Sequence, residues 1–164
     1  MTGHVSASRI LDAKVDDVFS VVTDVARLPE WNTAIKAVIA QPDSLEVGAQ
    51  WIVEMYALGQ RWHSRSVVEA LDPIGRCFAY RSVTDDGNPS YALWTWVVAD
   101  NAEGAFVTVA CELRPRTFWR RTILVRIRSR QLGHTELPHS LVMLETAAKR
   151  STGARPGTDT EGKQ

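Results

Sequence analysis

The chain has 164 residues, of which 45% are hydrophobic and 23% are charged, and its formal net charge is zero. These values are ordinary for one globular domain with its own core, and they provide no overall field that favours nucleic acid or a membrane surface. Two cysteines are too few for a disulfide framework, and no apolar run is long enough to span a bilayer. The first residues lack the basic and apolar regions of a signal peptide, so we expect a cytoplasmic protein.

The N-terminal part of the chain predicts one strand followed by two short helices. Residues 4–11 alternate as a strand does, and Asp12 offers an N-cap for the first helix. Thr23 or Asp24 can cap a second short helix over residues 25–28, which Pro29 disrupts. The first helix is indicated by apolar residues at the i, i+3, i+4, i+7 spacing: Val15, Val18, Phe19 and Val22.

The middle of the chain predicts six further strands. Apolar and polar residues alternate between turn sequences such as Gly59-Gln60 and residues 72–75. This alternation favours antiparallel strands with one covered face, because parallel strands between helices are more uniformly apolar. The predicted strands cover residues 34–40, 49–58, 62–71, 76–84, 91–98 and 105–113.

Residues 117–149 predict a long C-terminal helix whose continuity is open. A continuous helix directs Arg130 and His134 at the sheet together with an apolar face. A break or kink near Gly133 and Pro138 frees both side chains to reach water instead. Residues 151–164 are Gly, Thr, Pro and charged residues without a hydrophobic period, so we expect residues 1–150 to form the domain and the remainder a disordered tail.

Several local sequences resemble the START-like helix-grip superfamily (SRPBCC), and within it the polyketide cyclase/dehydrase branch. The resemblance implies an α+β helix-grip fold: a seven-stranded curved antiparallel sheet around a long C-terminal helix, with two short helices after strand one and a cavity between sheet and helix. It leaves the function open, because the superfamily includes lipid carriers, hormone receptors and aromatic cyclases. The segments that carry it are Asp12-Ala-Lys-Val-Asp-Asp-Val-Phe19, Asp24 with Leu28-Pro-Glu-Trp31, Gly48 with Trp51, Val68-Glu-Ala-Leu-Asp-Pro73 and Glu136-Leu-Pro-His-Ser-Leu141.

The same resemblance separates the strands of Cys77 and Cys111 by a third strand, so we expect no disulfide between them.

The candidate ligand-binding residues are side chains on the predicted concave faces. Aromatic rings offer a large contact area to a flat apolar ligand. A hydroxyl that faces an apolar interior needs a hydrogen-bond partner, so Ser66 and Thr108 are further candidates. The alternatives are a packed core that the rings merely fill, and hydroxyls bonded to backbone or water. The candidate set is Trp31, Trp51, Val53, Met55, Trp62, Ser64, Tyr80, Trp94, Trp96 and Arg130.

No motif identifies a catalytic residue, a metal site or a cofactor, and none is predicted. The chain has no Gly-Xaa-Ser-Xaa-Gly elbow and no phosphate-binding glycine loop, and His134 and His139 have a poor spacing for chelation. His63 and Arg65 are predicted to face outward. A register shift of one residue would turn both into the cavity, where they could protonate and stabilise an enolate, as an aromatase or cyclase requires.

Seven arginines and no acidic residue lie between Arg114 and Arg130. This run is typical of a solvated helix face. Interleaved Phe118 and Trp119 keep a second interpretation open, contact with anionic lipid headgroups. Nucleic acid would require the arginines to form one stripe, and on a helical wheel they scatter.

We therefore predict a protein that binds a small hydrophobic or aromatic molecule, lipid or polyketide-like, in an internal cavity between the sheet and the C-terminal helix. One alternative is a polyketide cyclase, aromatase or dehydrase that acts by confinement and polar cavity groups. Another is a lipid-handling protein that docks on anionic membranes through the arginine-rich helix. The predicted partner is the ligand and not nucleic acid; peripheral membrane contact stays open, as does the choice between monomer and homodimer.

Overall fold

A computed structural model of the chain describes residues 3–57, 59–117 and 125–153, and in it the strands form one antiparallel sheet. The strand order is β1-β7-β6-β5-β4-β3-β2, so the first two strands form opposite edges and every later strand lies beside its predecessor. This is the predicted seven-stranded sheet. Its strands are β1 (Gly3–Leu11), β2 (Ile35–Ala40), β3 (Gln50–Ala57), β4 (Gln60–Asp72), β5 (Cys77–Thr84), β6 (Tyr91–Asn101) and β7 (Gly104–Arg114).

Two short helices follow β1, as predicted: α1 (Val15–Val22) and, after a 3-10 turn at Val25–Arg27, α2 (Leu28–Trp31). Asp24, one of the two predicted caps, caps the 3-10 turn, because its carboxylate accepts the Ala26 N–H at 3.1 Å. The prediction that Pro29 disrupts the helix is wrong, because Pro29 lies in the first turn of α2. The predicted cap of α1 is wrong. Lys14 occupies the N-cap position without a side-chain hydrogen bond, while the Asp12 carboxylate accepts from Lys149 Nζ at 3.0 Å.

The C-terminal helix packs against β1, α1 and α2, and this side of the sheet holds the close-packed part of the core. Leu11, Val107 and Leu144 are fully buried there. The inward residues alternate along the strands, as a covered antiparallel sheet requires. Strands β3 to β5 lie further along the sheet, and their inward side chains border open space described below.

The C-terminal helix is neither a continuous α-helix nor broken. It consists of α3 (Val125–Gln131), a π-helical turn (Leu132–Glu136) and α4 (Leu137–Gly153). A π turn holds one residue more than an α turn, so it shifts which residues face the sheet. Pro138 is the second residue of α4 and directly follows the π turn, a type of irregularity that often accompanies a proline in a helix.

Both ends of this helix differ from the prediction. Thr117 lies outside it, residues 118–124 lie outside the described part of the chain, and α4 continues to Gly153, into the segment predicted as a tail. The rest of that tail, residues 154–164, is also outside the described residues, so its disorder stays a prediction. No helix in the described ranges is long and apolar enough to cross a membrane. Cys77 and Cys111 are free thiols on β5 and β7, separated by β6, as predicted.

Candidate functional site

A pocket of about 380 Å³ lies between the inward face of the sheet and the C-terminal helix. Its floor comes from β3 to β7, and its far wall includes Arg128 of α3 and Leu132 of the π turn. Exposed Gln60, Asp86 and Arg114 border it at the end of the sheet where β3, β5 and β7 finish, which places the opening there. A volume of this size is typical of pockets for small organic ligands.

Aromatic rings form the apolar part of the floor. The Tyr80 ring meets the Trp51 ring edge to face, with centroids 5.0 Å apart, and stacks near the Trp94 ring at 6.2 Å. These are the geometries that ring quadrupoles favour. Because the three rings come from β3, β5 and β6, the sheet itself fixes their positions. The floor of the pocket therefore carries three aromatic rings in fixed positions.

Four hydroxyls lie beside these rings on β4 and β5, and we call Ser64, Ser66, Ser82 and Thr84 the hydroxyl cluster. Ser66 is paired with Ser82 across the two strands, and Ser64 with Thr84, so all four face the pocket. The Ser64 hydroxyl donates to the Val83 carbonyl at 3.2 Å, and the Ser82 hydroxyl accepts the Trp94 indole N–H at 3.1 Å. The Thr84 hydroxyl donates to Asp86 Oδ1 at 2.7 Å, so the members of the cluster that can donate to oxygen atoms of a ligand are Ser66 and Ser82.

An ion pair within the C-terminal helix contributes the charged part of the wall. Arg128 donates through Nη1 to one oxygen of the Glu136 carboxylate at 2.7 Å and through Nη2 to the other at 3.0 Å. Arg128 is 19% exposed and Glu136 only 7%. A bidentate arginine–carboxylate pair of this kind is strong and geometrically specific, so it holds the guanidinium in one place beside the pocket.

Burial raises the pKa of two groups, Cys111 near this ion pair and Tyr80 on the pocket floor. It raises the pKa of the Cys111 thiol to about 12, while the nearby Arg128 guanidinium opposes that effect. Burial likewise raises the pKa of the Tyr80 phenol well above its ordinary value. Both groups are therefore neutral at physiological pH, and Tyr80 can act towards a ligand as a hydrogen-bonding phenol but not as a phenolate base.

Residues 2–132 match the family model described as polyketide cyclase / dehydrase and lipid transport. The chain belongs to this family. The match covers most of the sequence and all seven strands. No curated protein sequence shows significant similarity to the chain.

Solved structures place this family member in the SRPBCC-type fold. It superposes on TTHA0849 from Thermus thermophilus with a TM-score of 0.70 and 18% identity, covering 91% of this chain and 99% of that one. For the di-domain ARO/CYC StfQ from the steffimycin biosynthetic pathway the TM-score is 0.73 and the identity 14%, covering 93% of this chain and 52% of that one. Major latex-like protein 151 from Panax ginseng gives 0.67 and 13%, covering 89% and 97%. At these identities the likeness concerns the fold.

Seven of the ten predicted ligand-binding residues line the pocket of this polyketide cyclase/dehydrase family member, and three do not. Trp31 and Trp96 are buried together outside it, with centroids 5.1 Å apart in an edge-to-face contact. Arg130 is exposed on α3, because the π turn rotates α3 relative to α4. The seven that line the pocket are Trp51, Val53, Met55, Trp62, Ser64, Tyr80 and Trp94.

Strand register determines on which face of the sheet the other polar candidates lie. Ser64 and Ser66 face inward, so His63 and Arg65 lie on the outer face, as predicted. The cyclase chemistry considered for those two residues therefore has no support from their position. Thr108, considered as a ligand contact, also lies on the outer face, where its hydroxyl is 3.1 Å from that of Ser8.

Sequence reasoning missed several residues of this pocket. Ser82 and Thr84 share the alternation of Tyr80 along β5, so the strand pattern could have identified them. Arg128 could not be selected in the same way, because an α-helical wheel places Arg130 on the inward face instead. The signal that would have found it is the irregular turn itself, which sequence periodicity does not define.

Proposed function

We propose that this family member binds a small hydrophobic or aromatic molecule, lipid-like or polyketide-like, in the pocket between the sheet and the C-terminal helix. The observation that carries the proposal is the combination of a preformed 380 Å³ space with Trp51, Tyr80 and Trp94 around it. Such rings bury a large apolar area at little entropic cost, because the sheet already fixes them. The family description, which couples polyketide cyclisation with lipid transport, agrees with ligands of this class.

Native mass spectrometry of the purified protein tests this proposal. We expect a fraction of the protein to carry a bound compound, which denaturation and extraction release for identification. The variant Ala92→Phe should abolish retention, because Ala92 lines the pocket and a ring there occupies its volume. Ala99→Phe is the matched control, since Ala99 is exposed on the same strand. Equal retention by both variants would contradict binding in this pocket.

An enzymatic function of the cyclase or dehydrase type is the second candidate, and one observation favours it. Arg128 and the hydroxyl cluster border the same space, so a polyketone held there could have its carbonyl oxygens polarised while the walls keep the chain folded. The extracted compound separates the two candidates. The extracted compound is incubated with fresh protein. A carrier leaves the compound unchanged, whereas an enzyme converts the compound, or its open-chain precursor, to a product of lower mass by loss of water.

A further inference from the structure

The arginines that border the described part of the pocket are both matched by carboxylates. Arg114 at the opening pairs with Glu112, and Arg128 at the wall pairs with Glu136. Asp86, which also borders the opening, accepts from the Thr84 hydroxyl at 2.7 Å and the Asn88 N–H at 3.0 Å. The described wall therefore offers hydrogen-bond donors without a net positive charge.

Arg128 still has donors to offer after its pairing with Glu136. A guanidinium carries five N–H groups. Glu136 takes one from each terminal nitrogen, and Gln131 Oε1 lies 3.4 Å from Nη1. Two N–H groups, on Nε and Nη2, have no partner among the described residues, and the side chain borders the pocket.

We propose that Glu136 sets the charge preference of the pocket, so that it accepts molecules with uncharged oxygen groups, such as carbonyls, phenols and amides, and rejects carboxylates. This inference rests on the proposed function and specifies its ligand class. Glu136 is a positioning and specificity residue: it acts through the guanidinium of Arg128, whose charge it neutralises.

The preference follows from the cost of removing charge from water. A ligand carboxylate that enters the pocket loses its hydration, and the guanidinium of Arg128 in the described wall is already neutralised by the buried Glu136 carboxylate. An uncharged carbonyl or hydroxyl loses far less hydration. It can be satisfied by the remaining Arg128 donors and by the Ser66 and Ser82 hydroxyls of the hydroxyl cluster.

A pair of probes that differ almost only in charge tests the inference: 2-naphthamide and 2-naphthoate at neutral pH, each titrated calorimetrically into the full chain. The wild type should bind the amide about tenfold or more tightly than the carboxylate. Glu136→Gln should raise the affinity for naphthoate by about tenfold, because Arg128 becomes an unmatched cation, and should change the affinity for naphthamide by less than about threefold. Glu145→Gln, on α4 outside the pocket, is the matched control and should leave both affinities unchanged.

The double variant Arg128→Gln/Glu136→Gln guards against loss of folding, since it removes both charges at once. It should again favour naphthamide, because the Arg128 guanidinium is no longer there to hold the carboxylate. Equal binding of both probes to the wild type, or an unchanged ratio in Glu136→Gln that folds as the wild type does, would overturn the charge preference alone. Binding of neither probe to the wild type would contradict the proposed function and this inference with it.

Discussion

At the scale of single residues, the two thiols show how strongly the face of the sheet on which a side chain lies changes its chemistry. Cys111 is fully buried on the inward face of β7, where burial raises its pKa to about 12. Cys77 is half-buried at the start of β5 and pairs with exposed Val97 on the outer face. A thiol with a raised pKa holds its proton at neutral pH, and the thiolate is the reactive form.

We therefore expect native protein at neutral pH to show one accessible thiol with a small disulfide reagent. Cys77→Ser should remove this fast reaction, and Cys111→Ser should leave it in place. In denaturant both thiols should react at similar rates. Fast labelling of Cys111 in the folded protein, identified by peptide mass analysis, would show that its burial is not maintained in solution.

Residue-level prediction from the sequence works where the chain is regular. Two-residue alternation places Ser64, Tyr80 and Trp94 on the inward face, and the strand pairing confirms that placement. Trp31 and Trp96 also face inward, but whether an inward ring borders space or contacts another ring depends on the partner that reaches it from a distant element. Alternation carries no information about that partner.

At the scale of elements, the π turn is the feature that orients the charged wall of the pocket. Leu132 and Leu137 are both buried although they are five residues apart, and the Leu137 N–H bonds to the Leu132 carbonyl. In an α-helix, residues five apart point in clearly different directions. The inserted residue therefore brings Leu132 and Arg128 towards the sheet and leaves Arg130 exposed.

Deleting one exposed residue of the π turn should convert it to an α turn without moving its neighbours to new faces. We expect the variant lacking Thr135 to keep a cooperative unfolding transition and the binding of naphthamide, since Leu132 and Leu137 would become four residues apart. The comparison is a variant lacking exposed Val142, which turns the buried face of α4 beyond it away from the sheet. That variant should lose about 2 kcal/mol or more of unfolding free energy, because buried apolar contacts are lost.

Thermal unfolding followed by circular dichroism measures both deletions. If the variant lacking Thr135 is the less stable of the two, the π turn contributes packing that an α turn cannot replace.

The sequence marks this place with Gly133 and Pro138 but does not select the π turn. That choice depends on tertiary packing: a Cβ at Gly133 would stand 3.2 Å from Val5 Cγ1 on β1.

At the scale of the whole molecule, the order of strands and helices was predictable from the sequence, whereas the role of the arginine-rich segment was not. Turn residues divide the chain into strands whose alternation demands one covered face, and the predicted seven-stranded sheet with its C-terminal helix is confirmed. The structure describes only part of the arginine-rich segment. Residues 118–124 lie outside the described chain, and within α3 the side chains of Arg126, Ile127 and Arg130 are exposed.

Contact of this segment with anionic membranes stays a prediction that vesicles can test. We expect weak binding to vesicles rich in phosphatidylserine that falls steeply between low and physiological salt, because surface charges are screened over about 10 Å at 0.1 M. Replacing Arg126 and Arg130 by Gln should reduce that binding. The matched control replaces Arg65 and Arg81, on the outer face of the sheet. Equal binding to neutral phosphatidylcholine vesicles would argue against an electrostatic contact.

The pairing of β1 with β7 joins the first and last strands of the sheet: Gly3 lies opposite Leu113 and Leu11 opposite Ala105. On a ribosome that adds about 5–20 residues per second, the first strand therefore waits roughly 5–20 s before its partner exists. Strands β2 to β6 are joined as neighbours and can pair as they emerge. Until β7 arrives, β1 and the free edge of β6 are both unpaired, and such edges are where nascent chains associate wrongly. Synthesis of one hairpin, β6–β7, thus supplies the partner of both unpaired edges at once.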